Sequence, residues 1–432
     1  MTALDGAALG VDFGTTNTVL AVSDGAGGAR AIRFPTPGGG AAAAFRSVLS
    51  IREDAHAIEA GPWAIEAFLD DPESARLIQS FKSFAASAAF SGTSIFGRRF
   101  QFEDLLFAYL RRLWGHGGEA LKGQPARTVI GRPVVFAGAD PDETLALSRY
   151  AAAFGRLDLP RLAFAYEPVG AAFFFARRLE GAATVLVADF GGGTSDFSIM
   201  RFRRQGGRLQ AEPLSRAGVG VAGDAFDYRI IDQVISPRLG KGGDYRSDGK
   251  LLPIPNRYYA AFARWSQLAL MKGSRDMREI RQLARTAVDK AGISRFLELL
   301  EDDHGYHLYQ AVSAVKEALS ISDTARFNLS AGGIDIQVDI SRAAFETWIA
   351  PELEAIARAL DEALALAGLQ AHEVDKVFLT GGSSFVPAVR ALFAARFDLA
   401  AIETGGEFES IATGLALIAA EPEAGGWRQD AA

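Results

Sequence analysis

Two stretches of this chain follow one pattern, and together they restrict its fold more than any other feature. Residues 184–200 read Thr-Val-Leu-Val-Ala-Asp-Phe-Gly-Gly-Gly-Thr-Ser-Asp-Phe-Ser-Ile-Met. An apolar run ends on Asp189, then come Gly191, Gly192, Gly193, Thr194 and Asp196, and alternation resumes through Phe197 and Ile199, which is the pattern of a β-hairpin. Residues 8–22 repeat it: an apolar strand, Asp12-Phe13-Gly14, the hydroxyls of Thr15 and Thr16, and a second apolar strand. The copies lie too far apart for a solenoid repeat. They point to two similar domains facing each other across a cleft, each contributing one loop.

The loops suit phosphate. Glycines let successive backbone N–H groups converge on an anion, and a hydroxyl with flanking carboxylates suits hydrated Mg²⁺. The plainer alternative is a flexible glycine turn between two strands. That alternative leaves the acids on both sides of the glycines, and the threonine within reach of them, without a purpose.

Composition narrows the class. A chain of 432 residues, 49% hydrophobic and 22% charged, has material for two or more soluble domains. A net charge of −7 argues against general nucleic-acid binding, because no cationic excess exists to replace phosphate counterions. The absence of cysteine excludes disulfides, thiolate metal sites and thiol catalysis. No signal-peptide pattern opens the chain and no apolar run is long enough to span a membrane, so a cytoplasmic location is expected.

Along the chain, Lys82 sits between Phe81 and Phe84, either as an ordinary solvated lysine or as a charge held in place by its neighbours. Glu167-Pro168 joins a strand to a helix, where the carboxylate either complements the helix N-terminus or does chemical work. Residues 218–227 read as a glycine-rich lead into a helix starting near Phe226, and residues 237–255 as polar loop. Residues 258–271, 276–288 and 293–300 read as amphipathic helices bearing Arg264, Lys272, Arg278, Arg281 and Arg285. Solvated faces are the first reading of these and a partner-docking surface the second. Residues 326–340 alternate like a hairpin around Gly332-Gly333. Residues 376–393 give strand, Gly381-Gly382-Ser383, then helix, with open N–H groups for phosphate or ribose oxygens but neither a Walker A nor a Rossmann pattern.

In order, Asp-Phe-Gly-Thr-Thr-Asn, Phe-Lys-Ser-Phe, Tyr-Glu-Pro-Val-Gly-Ala-Ala, Asp-Phe-Gly-Gly-Gly-Thr-Ser-Asp and Leu-Thr-Gly-Gly-Ser-Ser resemble the nucleotide-binding domain of the DnaK-type Hsp70 chaperones. That domain belongs to the actin, sugar-kinase and chaperone ATPase superfamily. Val129-Ile-Gly-Arg-Pro-Val134 and Leu252-Pro-Ile-Pro-Asn256 look similar to the truncated YegD-like branch. The resemblance implies a two-lobed α/β fold of duplicated ribonuclease-H-like domains around a deep cleft that takes ATP or ADP with Mg²⁺. One lobe would be residues 1–181 plus 403–432, with a subdomain inserted at about 41–120. The other would be residues 182–402, with a largely helical insertion at about 228–310.

The resemblance also implies roles. Gly14, Thr15, Thr16 and Asn17 would contact phosphates, as would Gly191, Gly192 and Gly193, with Thr194 touching the γ-phosphate. Asp12 and Asp189 would hold Mg²⁺ through water. Lys82 would orient the attacking water and stabilise charge on the transferred group, assisted by Glu167 and Asp196. Gly223, Asp224, Lys316, Ser320, Gly381, Gly382, Ser383 and Phe385 would hold the nucleoside. The chain departs from the family's pattern at several of these places. Asp224 replaces a ribose-binding glutamate, Glu317 and Phe385 stand where the family has arginines, and Glu407-Phe-Glu-Ser410 replaces Asn-Pro-Asp-Glu.

After the last apolar helix only a short polar tail follows, so a peptide-gripping domain is not expected. The expected function is a slow Mg²⁺-dependent ATPase acting as a switch for a protein partner that docks near residues 258–300. A small-molecule kinase and an actin-like filament protein of the same superfamily are the alternatives.

Overall fold

The computed structural model describes residues 3–53, 57–179, 181–205, 208–271, 274–302, 304–404, 409–421, 427 and 429–431. Lys272, Glu407 and Phe408 lie outside the described residues. Two sheets organise the chain. The first contains β1 (Ala8–Phe13), β2 (Asn17–Ser23), β3 (Ala29–Ala31), β4 (Arg127–Arg132) and β5 (Leu162–Tyr166), in spatial order β3-β2-β1-β4-β5. The second contains β6 (Ala183–Phe190), β7 (Ser195–Gln205), β8 (Arg208–Val219), β9 (Lys376–Thr380) and β10 (Ile402–Thr404), in order β8-β7-β6-β9-β10. Each begins as an antiparallel meander, whose first strand then pairs in parallel with a strand reached by a crossover, and that strand pairs in parallel with the next. The duplicated hairpins thus head duplicated sheets. Their first strands, β1 and β6, are almost wholly buried, as strands covered on both faces must be.

The helices that position the cleft are α1 (Glu167–Ala176), α2 (Gly223–Ile230), α3 (Lys290–Glu301), α4 (Gly305–Ile321) and α5 (Ser410–Ala420). Helices α1 and α5 are apolar nearly all round because they form a layer between the sheets. Ala171, Phe175, Leu415 and Ile418 share one core with Val129 and Ala163 on one side and Val185, Val187 and Phe378 on the other. Phe175 stacks on Phe378 with ring centroids 3.8 Å apart. The two helices approach backbone to backbone, since a Cβ on Gly414 would lie 1.6 Å from the Gly170 carbonyl oxygen.

Several expectations need correcting. Residues 237–255 are not plain loop: they contain an antiparallel hairpin, Asp244–Ser247 with Lys250–Pro253, turned by Asp248-Gly249 with both φ angles positive. The Asp-Gly signal for such a turn is there, among polar residues that hide it. Helix α2 starts at Gly223, ahead of Phe226, where the N–H groups of Gly223 and Asp224 donate to the carbonyls of Gly191 and Gly192. The helix expected over residues 258–271 is two, Asn256–Phe262 and Trp265–Met271. Its aromatic residues Tyr258, Tyr259, Phe262 and Trp265 are all core, so the aromatic half of the expected docking face is internal. The polar tail returns to the fold, with Gln429–Asp430 pairing antiparallel to the edge strand β5. Among the described residues no helix is long and apolar enough to cross a membrane.

Candidate functional site

Both glycine turns close on the same hydrogen bond. Gly14 N–H donates to the Asn17 carbonyl at 3.0 Å and Gly191 N–H to the Thr194 carbonyl at 2.9 Å, making each a four-residue loop. The strand before each turn delivers its acid: Asp12 is the last residue but one of β1, opposite Val19, and Asp189 stands in β6 opposite Asp196. The loops meet. A Cβ on Gly192 would fall 2.8 Å from Thr16 Oγ1 and 3.0 Å from Thr15 Cβ.

A cavity of about 320 Å³ opens between them. Of the residues expected here, Asp12, Gly14, Thr15, Thr16, Asn17, Lys82, Glu167, Asp189, Gly191, Gly192, Thr194, Gly223, Asp224, Lys316, Gly381, Gly382 and Ser383 line it. Glu317, at a departure position, lines it as well. Gly381 has φ +79°, and a Cβ there would lie 2.0 Å from the Phe190 carbonyl oxygen, so glycine is what lets this loop close against β6.

Lys82 is no solvated lysine. It lies in the short helix Phe81–Phe84, packed through Phe81 onto Phe13, and its Nζ donates to Glu167 Oε1 at 2.8 Å with the two side chains 8% and 6% exposed. Burial works against its charge, but Glu167, Tyr150 and Asp12 outweigh burial and hold the ammonium above its ordinary range. The carboxyls around it are under the opposite pressure. Burial, reinforced by Glu167 and Asp189 and opposed by Lys82, pushes Asp12 well above the usual range. Burial and Glu167 push Asp189 up to about 7, although Thr380 Oγ1 donates to its Oδ1 at 2.8 Å. Burial and Asp227 raise Asp224 to about 6, against Lys316. Acids gathered in a dry cleft with too little positive charge of their own are chemically prepared for a cation.

Not every expected residue reaches the cavity wall. Asp196 is fully buried behind it, with Oδ1 accepting from the N–H groups of Val134 and Val135 at 2.7 and 3.2 Å. Burial, with Glu167 adding to it, raises its pKa to about 8. Gly193 abuts Ala137 and Thr15. Ser320 turns inward to its own helix and donates to the Lys316 carbonyl at 3.0 Å. Phe385 is 39% exposed outside the cavity, beneath the Arg390 guanidinium. Ser320 and Phe385 are therefore not among the residues that line this cavity.

Three residues that sequence reasoning passed over shape the site. Arg46 donates to Asn17 Oδ1 at 3.4 Å and to the Tyr309 hydroxyl, joining the first loop to α4 across the cleft. Asp227, 2% exposed, accepts from Lys316 Nζ at 2.6 Å and from Trp265 Nε1 at 2.9 Å. Lys316 is thus held charged, its burial outweighed by Asp227. Thr380 lay within the quoted Leu-Thr-Gly-Gly and could have been found there. Arg46 carries no motif.

Comparison with known proteins places the sequence beside a chaperone family. The family model described as "Hsp70 protein" matches residues 281–423. Two curated relatives, each a "Chaperone protein HscA homolog" from Azotobacter vinelandii, the second from strain DJ, are 29% and 30% identical over 313 residues, which is 72% of this chain. The match takes in 39% of the length of each relative.

Proposed function

Because this chain carries a nucleotide-binding domain of the Hsp70 family, in an α/β fold of the actin-like ATPase type, we propose that its cleft binds ATP with Mg²⁺ and hydrolyses it slowly. The observation that carries this reading is the buried Lys82–Glu167 pair on the cleft floor, set between two phosphate-type turns. Phosphoryl transfer asks a protein mainly for positioning and for charge placed where it develops. Lys82 supplies a fixed positive charge toward the terminal phosphoryl group. Glu167 Oε1 fixes the lysine and, with Thr194, orients the attacking water. The N–H groups and hydroxyls of Thr15 and Thr16 and the N–H of Gly192 hold phosphate oxygens, and Lys316 and Ser383 face the nucleoside. The donor set fits hydrated Mg²⁺, since Asp189 is buried and Asp12 half-buried, and a divalent cation relieves the raised pKa of each. When bound, Mg²⁺ supplies positive charge against the phosphate oxygens.

On this reading residues 1–181 with the stretch from α5 onward form one lobe and 182–404 the other, since Glu403 and Thr404, expected with the first lobe, pair with β9 in the second sheet, and a protein partner reads their relative position. The exposed arginines Arg278, Arg281 and Arg285 of the helix Arg275–Thr286 are the docking surface, in place of the buried aromatics.

A thermal-stability titration with ATP and ADP, with and without Mg²⁺, tests the binding, because a ligand that binds only the folded state raises the midpoint according to its affinity. Phosphate release then tests hydrolysis. No stabilisation by either nucleotide in Mg²⁺ would overturn the reading.

A further inference from the structure

Away from the cleft, the hairpin Thr324–Ala331 with Ile334–Ser341 turns at Gly332-Gly333 directly over the junction of α3 and α4. Glu298 and Asp302, one helical turn apart at the end of α3, and His304, just before α4, bring one ligand atom each to within 4.8 Å of the others. Several observations make this more than a charged corner. His304, half-buried as a residue, buries its Nε2, which has no hydrogen-bond partner among the described residues although a carboxylate stands beside it. Glu298 Oε1 is already oriented by the Gly333 N–H. The turn leaves room for both groups only because it has no side chain: a Cβ on Gly332, at φ +58°, would lie 2.6 Å from Glu298 Oε1 and 2.7 Å from His304 Nε2. An imidazole nitrogen and a carboxylate oxygen therefore converge on one point beneath a glycine turn.

We propose that Glu298, Asp302 and His304 form a zinc site that ties the α3–α4 junction to the Gly332-Gly333 turn. One imidazole and two carboxylates are a borderline-hard donor set, which suits Zn²⁺ and is a poor match for Mg²⁺, whose ligands are oxygens. Tetrahedral zinc with bonds of about 2.0–2.1 Å sets its ligands roughly 3.3 Å apart, so the three side chains close in by up to about 1.5 Å. Water takes the fourth position. The Gly333 N–H keeps Glu298 directed at the ion, the outer support that metal-bound carboxylates ordinarily have. The site has a mechanical role, because α4 begins beside it and carries Tyr309, Lys316 and Glu317 into the cleft.

Equilibrium dialysis of the full chain against Zn²⁺, with millimolar Mg²⁺ present to occupy the cleft carboxylates, is the test. One equivalent of zinc is expected. His304→Ala should weaken its binding by at least about a hundredfold, and Asp302→Asn, at an exposed position where folding is not at risk, by about tenfold. Asp189→Asn should leave it unchanged. Co²⁺ in place of Zn²⁺ should give tetrahedral visible absorption that His304→Ala abolishes. Failure to retain zinc, retention unaffected by both His304→Ala and Asp302→Asn, or loss only with Asp189→Asn would each overturn the assignment.

Discussion

Lys82 answers Glu167 with its one positive charge, while Asp12 and Asp189 beside the pair hold their protons more tightly than ordinary carboxyls until a cation arrives. Removing the lysine has two separable effects. Lys82→Ala should slow phosphate release by about 10²- to 10³-fold, with nucleotide affinity changing by only a few fold. It should also destabilise the ligand-free protein by about 3–5 kcal/mol, since Glu167 is left buried without its partner. Mg²⁺ with nucleotide should restore much of that loss. Phosphate-release rates and thermal midpoints measured side by side check both effects.

Asp224 gives a pH signature of defined sign. Its carboxyl is raised from 3.8 to about 6 in the fold, so it binds its proton more tightly folded than unfolded. The stability this contributes is full below about pH 4 and is lost as pH rises through 6. Asp224→Asn should be as stable as the parent at pH 4 and more stable at pH 7 by about 1–2 kcal/mol. Denaturant midpoints at the two pH values, without metal or nucleotide, decide it.

At the scale of elements, the two loops were legible because everything they need is local. A strand, an acid at its end, glycines and a hydroxyl lie within a dozen residues, and the register of one hairpin fixes them all. Arg46 with Tyr309, and Asp227 with Trp265, were not legible, because each pair forms only when distant elements dock, and neither arginine in an apolar strand nor tryptophan at a helix start announces a partner. That Ser320 and Phe385 stand off the cavity wall has a related reason. Their positions follow a motif, but the side-chain direction is set by local packing, here toward the Lys316 carbonyl and the Arg390 guanidinium. The α1–α5 crossing is the element most exposed to a small change. Alanine for glycine inside a helix ordinarily stabilises by about 1 kcal/mol. Gly414→Ala should do the reverse and cost at least about 3 kcal/mol, because the added carbon meets the Gly170 backbone, which cannot move aside as a side chain would. A urea unfolding curve of the purified variant, or its failure to accumulate as folded protein, checks the sign.

At the scale of the whole molecule, Asp12 belongs to the first sheet and Asp189 to the second, so an ion held between them couples the two halves. Asp12→Asn and Asp189→Asn should each weaken nucleotide binding in Mg²⁺ and leave the weaker metal-free binding nearly unchanged. Calorimetry with and without Mg²⁺ separates these outcomes.

The duplication of the sheets conceals an asymmetry in how they are completed. Helix α5, residues 410–420, packs on β1, β2 and β4, and its Ala412 and Ala416 close the core around Val19 and Ala21. The first half of the chain to leave the ribosome is therefore the last to be finished. The second sheet can assemble as it emerges, while β1 and β2 wait with an apolar face uncovered until synthesis has passed residue 420. Nascent chains stalled with residues 1–400 exposed should have their first hairpin cut readily by protease, whereas chains stalled after residue 420 has cleared the exit tunnel should resist.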